Sequence, residues 1–389
     1  MGRGVMASLL SEASARYGGR TALTFLGGNS HSFEALDDLA GRIASGLAAK
    51  GVGRGDRVLL HLPNSVQWVV FYHAIARLGA VVIPANAMAT RLELDYMAQD
   101  AEVACIVTTA DNAAALQDSR AVVVACDGDN DDVSVLARSP YREPEPVTPD
   151  ELFTISYTSG TTGRPKGVML SHGNVFQSMA GTATFHVRHG GDVAFSALPF
   201  PHVYGNIVLN AVFLTGMQLI AAPRFDAGEA LRTIRQHRVT LLEGVPTMYY
   251  QLLAHPDLAA ADLTSLTRCT VGGQTMPPAK QKAVEARFGC PLLELWGMTE
   301  LAGPATTHSP GGCRAPAPWV CRYPAFRSGS PACRTRHRIW HRARMVRSLF
   351  VGPSPPVAIG DAPMPQRRHW MPRAGWQPAI SATWMKMVT

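Results

Sequence analysis

The stretch Tyr157-Thr-Ser-Gly-Thr-Thr-Gly-Arg-Pro-Lys-Gly-Val168 decides how this chain is read. It lies between the apolar runs Phe153-Thr-Ile-Ser156 and Val168-Met-Leu170, which predict two strands with a mobile loop between them. The loop's chemistry suits an anion. Glycine lets backbone N–H groups converge, the hydroxyls of Thr158, Ser159, Thr161 and Thr162 add donors around Gly160 and Gly163, and Lys166 supplies a point charge. The order Gly-x-x-x-x-Gly-Lys-Ser/Thr is absent, because Lys166 follows Pro165 and precedes Gly167, so this is not a Walker A loop. By composition alone a plain Gly/Ser/Thr turn is the alternative.

The order of these twelve residues resembles the signature phosphate loop of the adenylate-forming superfamily, which includes acyl-CoA synthetases, amino-acid-activating domains and luciferases. The resemblance implies that the loop contacts the β and γ phosphates of ATP. A second matching stretch is Leu292-Leu-Glu-Leu-Trp-Gly-Met-Thr-Glu300. There the family pattern implies that Trp296 and Gly297 border adenine, Thr299 touches phosphate and Glu300 accepts Mg2+, an ion that takes hard oxygen ligands with substrate phosphates. Relatives mostly carry tyrosine where this chain has Trp296; tryptophan keeps the stacking face but moves the polar handle. The stretch Cys269-Thr-Val-Gly-Gly-Gln-Thr-Met-Pro277 matches the loop that lies beside adenine and the acyl carboxylate. Gly272 and Gly273 align, while Gln274 stands where a small residue is usual. The stretch Pro199-Phe-Pro-His-Val-Tyr-Gly205, read as a loop, matches the motif whose histidine, here His202, shapes the acyl pocket. Pro246 is predicted to open a helix after the turn at Gly244, and Val245, Pro246, Thr247 and Met248 are candidates for the pocket wall, with a plain core role as the alternative for Met248. His172 is read as bracing the loop before it.

Around these motifs the chain alternates strands and helices. Arg57-Val-Leu-Leu-His61, Ala80-Val-Val-Ile83, Ile106-Val-Thr-Thr109 and Ala121-Val-Val-Val-Ala125 are near-continuous apolar runs, the pattern of parallel strands covered on both faces. Ahead of them, Ser32 caps a helix with Leu36, Leu39, Ile43 and Leu47 on one face and Gly51 past its end. Further helices are predicted at Leu9–Tyr17, Val66–Leu78, from Leu92, to Ala183 and at Ala227–His237. Asp127 to Asp132 and Ser139 to Pro149 read as surface loops. The expected architecture is α/β, an acyl-CoA-synthetase-like large N-terminal domain of layered β-sheets flanked by helices. Its expected extent is residues 1–310.

Composition changes sharply after that point. Residues 1–310 hold 23 Lys+Arg against 28 Asp+Glu, whereas residues 311–389 hold 13 against the single Asp361. The overall charge of +7 therefore arises in the last stretch and does not indicate a nucleic-acid partner. Five of the seven tryptophans and 11 of the 28 prolines also fall there. The resemblance implies a ribose-binding aspartate, a hinge and a C-terminal lid with a lysine; none is recognisable, and the surroundings of Asp361 and Lys386 do not match. A reading-frame change shortly after Pro310 accounts for this composition, and a natural basic extension is the competing account. The expectation is a tail with little secondary structure and no lid.

Seven irregularly spaced cysteines with no CxxC pair, no signal-peptide pattern and no long apolar span lead to the expectation of a reducing, cytoplasmic setting. Peripheral membrane contact stays open, and oligomeric state is not legible. The resemblance implies ATP-dependent activation of a carboxylic acid, expected to be a fatty acid, to acyl-adenylate and then acyl-CoA, with Mg2+ as cofactor and coenzyme A as co-substrate. Without the lid, activity is expected to be weak. The alternatives are a nucleotide- or acyl-binding remnant without turnover and transfer to an acceptor other than CoA.

Overall fold

The computed structural model describes residues 4–116, 121–126, 132–158, 165–310, 321–322 and 358–359. Two mixed sheets organise them, each mainly parallel with antiparallel strands at an edge. The first contains β3 (Arg57–His61), β4 (Val81–Pro84), β5 (Cys105–Thr109), β6 (Val122–Cys126), β7 (Leu152–Thr158) and β8 (Lys166–Ser171). Its order is β8-β7-β4-β3-β5-β6, with only β7 and β8 antiparallel among these six. The second contains β1 (Thr21–Phe25), β2 (Ser30–Ser32), β9 (Val193–Ser196), β10 (Gln218–Ala221), β11 (Leu241–Gly244), β12 (Arg268–Val271), β13 (Leu292–Met298) and β14 (Gly303–Thr307). These run in the order β14-β13-β12-β11-β9-β10-β1-β2. Two short pairings extend the sheets, Cys321–Arg322 on β14 and Ala358–Ile359 on β8.

Side-chain alternation along the strands explains why the helices sit where they do. Val58 and Leu60 of β3 enter the same apolar core as Leu23, Ala194 and Leu241 of the other sheet, whereas Leu59 enters a separate outer cluster. The layer between the sheets is filled by α1 (Leu9–Tyr17), α2 (Phe33–Ala49), α3 (Val66–Arg77), α7 (His172–Phe185) and α8 (Val203–Thr215). Beyond the first sheet, α4 (Arg91–Asp100) contributes Leu94 and Met97, with α5 (Ala110–Ala115) following β5. Beyond the second, α9 (Ala227–His237), α10 (Pro246–Ala254) and α11 (Pro278–Phe288) cover Phe195, Ile220, Leu242 and Val271. Both faces of each sheet are thus apolar, as the unbroken Val, Ile and Leu runs require.

Predicted element ends coincide with real caps. The Ser32 hydroxyl accepts from the Ala35 N–H at 3.1 Å and starts α2. Pro246 occupies the first turn of α10, where its missing N–H costs nothing. Of the predicted acidic loop Asp127 to Asp132, residues 127–131 lie outside the described residues, and Asp132 opens a helical turn, α6 (Asp132–Leu136). Two readings need correction. Tyr204 and Gly205 belong to α8 rather than to the preceding loop, because the His202 ring nitrogen caps that helix. His172 opens α7 and stacks on Phe153 with centroids 4.8 Å apart, so its ring belongs to the core.

Candidate active site

The candidate residues gather where two hairpins meet. The β7–β8 ladder ends with Tyr157 opposite Gly167 and Thr158 opposite Lys166. The intervening Ser159, Gly160, Thr161, Thr162 and Gly163 lie outside the described residues, but both anchors of the loop are fixed. The Tyr157 hydroxyl donates to Asp100 at 2.6 Å, and the Tyr96 hydroxyl donates to the Pro165 carbonyl at 3.0 Å. Burial and the adjacent Asp100 carboxylate raise the Tyr157 pKa, so its phenol stays a donor. These two tyrosines from opposite sides hold the base of the hairpin to α4.

The second hairpin is β13–β14, and its one-turn 3-10 helix Thr299–Leu301 packs beside β8. Thr299 and Glu300 therefore come close to the strand that begins with Lys166, although 132 positions separate Lys166 from the Met298 that ends β13. Gly297 is required here: a Cβ on it would lie 2.1 Å from the Gly303 carbonyl oxygen, inside the hairpin's own backbone. Trp296 is 48% exposed at the end of β13, a flat aromatic face at the rim of the site. Glu300 is half-buried and enters no ion pair among the described residues. No group of three or more His, Cys, Asp or Glu among the described residues could hold a metal ion. A single unspent carboxylate fits Mg2+ brought with a polyphosphate better than a protein-enclosed ion, since Mg2+ keeps waters and phosphate oxygens as ligands.

The parallel strands of the second sheet deliver the remaining candidates at their C-terminal ends, where ligands of α/β sheets bind. Gly272 is buried directly after β12, and Gly273 has φ +85°, a left-handed conformation that favours glycine. Gln274 is exposed beside it. Val245 sits against Gly273, 3.3 Å from where a Cβ there would be, and Pro246 is buried behind it. Met248 packs against the apolar clusters on both sides of the sheet, which makes it a core residue first.

His202 caps α8, its Nδ1 accepting from the Tyr204 N–H at 3.3 Å. Desolvation lowers its pKa even though part of the ring reaches solvent, so the ring is neutral near pH 7 and carries its proton on Nε2. Asn64 sets the position of this loop: its side-chain amide donates to the Leu198 carbonyl at 2.9 Å and accepts from the Phe200 N–H at 2.8 Å. A small cavity lies between this loop and the two hairpins, lined by Thr154, Ser156, Leu170, Pro201, Val203 and Ala302 among others.

Sequence reasoning missed a buried polar network under these loops. Arg188 and Glu243 form an ion pair at 2.6 Å with both side chains fully buried. The Thr270 hydroxyl donates to the same Glu243 carboxylate, and the Tyr204 hydroxyl lies 2.6 Å from Thr270. Beside it, Arg268 pairs with Asp192 at 2.5 Å and donates to the His186 carbonyl at 2.7 Å. Burial would raise the Asp192 pKa, but the Arg268 guanidinium brings it below the ordinary value. Burial, helped by Arg188, Arg268 and His308, pushes His186 well below its ordinary value. The one sequence signal was Glu243 interrupting the apolar Leu241-Leu-Glu-Gly244 strand.

Comparison with known proteins agrees with this fold. A family model described as "AMP-binding enzyme" matches residues 10–342, running past the point where the motif resemblance stops. The long-chain-fatty-acid–CoA ligase of Bacillus subtilis (strain 168) is 31% identical over 358 residues, covering 80% of this chain and 64% of the relative. A feruloyl-CoA synthase of an Amycolatopsis species is 34% identical over 281 residues, covering 71% of this chain and 56% of the relative. The chain thus spans less than two thirds of the length of these curated relatives. The inhibitor-bound N-terminal domain of FACL13 from Mycobacterium tuberculosis superposes with a TM-score of 0.71 at 26% identity, covering 78% of each chain. Apo MatB from Rhodopseudomonas palustris gives a TM-score of 0.74 at 29% identity, covering 82% of this chain and 65% of that one. With the sheet architecture, the paired hairpins and the family match in agreement, the chain belongs to the AMP-binding enzyme family of adenylate-forming, acyl-CoA-synthetase-like proteins.

Proposed function

We propose that this chain binds ATP and a carboxylic acid and carries the phosphate-holding part of an AMP-forming acyl-CoA ligase. The observation that supports this most directly is the meeting of β8, which begins with Lys166, and the Thr299–Leu301 turn, which carries Glu300, in a chain of this family. In the proposed reaction an acid oxygen attacks the α-phosphorus of ATP, and pyrophosphate leaves. The CoA sulfur then attacks the acyl carbon, and AMP leaves. Lys166 and the hydroxyls of Thr158 and Thr299 stabilise charge on the phosphate oxygens, the electrostatic part of such catalysis. Glu300 would hold Mg2+, which would supply positive charge against the polyphosphate. Trp296 offers a stacking face to adenine, and Gly272, Gly273 and Gln274 edge the nucleotide and acyl carboxylate. His202 borders the acyl group as a neutral donor through Nε2.

Relatives are named for fatty, ferulic, 2-succinylbenzoic and 4-coumaric acids. We propose a fatty acid here, on the strength of the fatty-acid ligase relative that spans 80% of the chain. The test is pyrophosphate release by the purified chain with ATP, Mg2+ and a panel of fatty and aromatic acids, followed by addition of CoA. Release that depends on a fatty acid supports the reading; release only with aromatic acids removes the fatty-acid assignment; no ATP binding overturns the whole.

A second reading is favoured by the sequence after Pro310, where the ribose-binding aspartate and lid motifs implied by the family are not recognisable. On that reading the chain binds ATP without completing acyl transfer, and saturable ATP binding with no acyl-adenylate formed is its signature. We further propose that residues 1–310 are the functional domain and that residues 311–389 arise from a shifted reading frame. Sequencing the coding DNA past the Pro310 codon tests this: an alternative frame encoding a Gly-Asp motif and a lid is expected, and an uninterrupted frame with no such alternative overturns it.

A further inference from the structure

Cys269 and Cys290 are placed for a reaction that acid activation does not use. Cys269 lies in β12, and its N–H donates to the carbonyl of Pro291 at 2.8 Å. Cys290 follows Gly289, which ends α11 in the left-handed conformation, and stands just before β13. Both thiols enter the apolar cluster under α10 and α11, Cys269 fully buried and Cys290 6% exposed. Their sulfurs are 3.6 Å apart. Cys105 and Cys126 differ: they stand at opposite ends of the β5–β6 ladder.

Strand pairing sets Cys269 opposite Leu292, and Cys290 lies two residues before that position, so the two thiols meet at the entry to β13 rather than as a register pair. A disulfide's sulfurs are about 2.05 Å apart, against 3.6 Å here. The sulfurs are already in contact, and bonding asks them to close that gap. The two thiols are also unequal. The hydrogen bond from Cys269 holds the Cys290 pKa below the ordinary thiol value, while burial holds Cys269 well above it. Cys290 is thus the better nucleophile and the one nearer solvent, and Cys269 is its adjacent partner.

We propose that Cys269 and Cys290 form an oxidative modification site, converted by a peroxide-class oxidant into an intramolecular disulfide that staples β12 to the start of β13. The Cys290 sulfur attacks one peroxide oxygen; the O–O bond breaks and water leaves with the thiol proton, giving a sulfenic acid. The Cys269 sulfur attacks the Cys290 sulfur; the S–O bond breaks and a second water leaves with the Cys269 proton. Two thiols lose two electrons and two protons, and hydrogen peroxide becomes two waters.

The experiment treats the reduced full-length chain with hydrogen peroxide, blocks remaining thiols in denaturant, and maps peptides by mass spectrometry without reduction. Trypsin with a glutamate-specific protease separates Cys290 from Cys313, because Glu294 and Glu300 lie between them. The expected result is one linked pair, Cys269 with Cys290, lost on adding dithiothreitol and absent from Cys290→Ser, with Cys105 and Cys126 still alkylated. Linkage of Cys290 to Cys313, Cys321 or Cys333 overturns the proposal, as does oxidation of Cys290 to the sulfinic acid with Cys269 left free. Since the reduced and oxidised wild-type chains are compared directly, the result does not depend on any variant folding, and it stands or falls independently of ATP binding.

Discussion

At the scale of single residues, the proposed function divides the site into groups that would meet phosphate and groups that would meet the base. Lys166 is the cation at the end of the β7–β8 ladder. Lys166→Ala is expected to lower ATP–pyrophosphate exchange about a hundredfold, the magnitude typical of removing one charge-stabilising donor. An unchanged exchange rate would remove Lys166 from the phosphate site. Trp296 is expected to contribute by stacking, worth about 1–3 kcal/mol per base. Trp296→Ala should therefore weaken ATP binding in calorimetry, whereas Trp296→Tyr should retain most of it; equal affinities for the two variants would show that adenine rests elsewhere. The Arg188–Glu243 pair touches neither group. Through Thr270 and Tyr204 it reaches the first turn of α8, two residues from His202.

At the scale of elements, the two hairpins depend on the helices packed between the sheets. Trp68 and Tyr72 of α3 stack at 4.9 Å, and the Tyr72 hydroxyl donates to Asn206 of α8 at 3.0 Å. The joint between α2 and α3 is polar: Arg77 pairs with Asp37, donates to the Arg142 carbonyl at 2.7 Å, and lies 4.9 Å from the Tyr141 ring centroid. Tyr141 in turn donates to Asp37 at 3.0 Å. Removing one partner of such a pair leaves an uncompensated buried charge. Asp37→Ala is expected to cost about 3–5 kcal/mol, read as a lower urea midpoint with an unchanged m-value. A loss below about 1 kcal/mol, the range of exposed ion pairs, would mean that water reaches this joint.

At the scale of the whole molecule, buried histidines set the response to acid. In the unfolded chain an imidazole takes up its proton near pH 6.5, whereas burial holds His73 to about 3 and His172 to about 4 in the fold. The unfolded state therefore binds more protons as pH falls below 6.5, and stability is lost from there down toward the folded values. Urea midpoints should fall steadily from pH 7 to pH 5, before most carboxylates titrate. A flat profile over that interval would show that these rings are protonated in the native state. No helix among the described residues is long and apolar enough to cross a membrane.

Local chemistry was legible in the sequence because it is local. The Ser32 cap, the Pro246 helix start and the apolar strand runs each depend on residues a few positions apart. The motifs around Lys166 and Glu300 could be recognised, and their family is now supported by a match over residues 10–342. Tertiary structure decided what these motifs are next to. Only folding brings the Thr299–Leu301 turn beside β8, stacks His172 on Phe153, and turns Glu243, an odd charge in an apolar strand, into the buried partner of Arg188. The Cys269–Cys290 approach was hidden for the same reason: 21 positions of sequence separate thiols that the fold places 3.6 Å apart. A sequence states which faces are apolar and which residues can cap or turn, but long-range partners are chosen when those faces close on one another and exclude water.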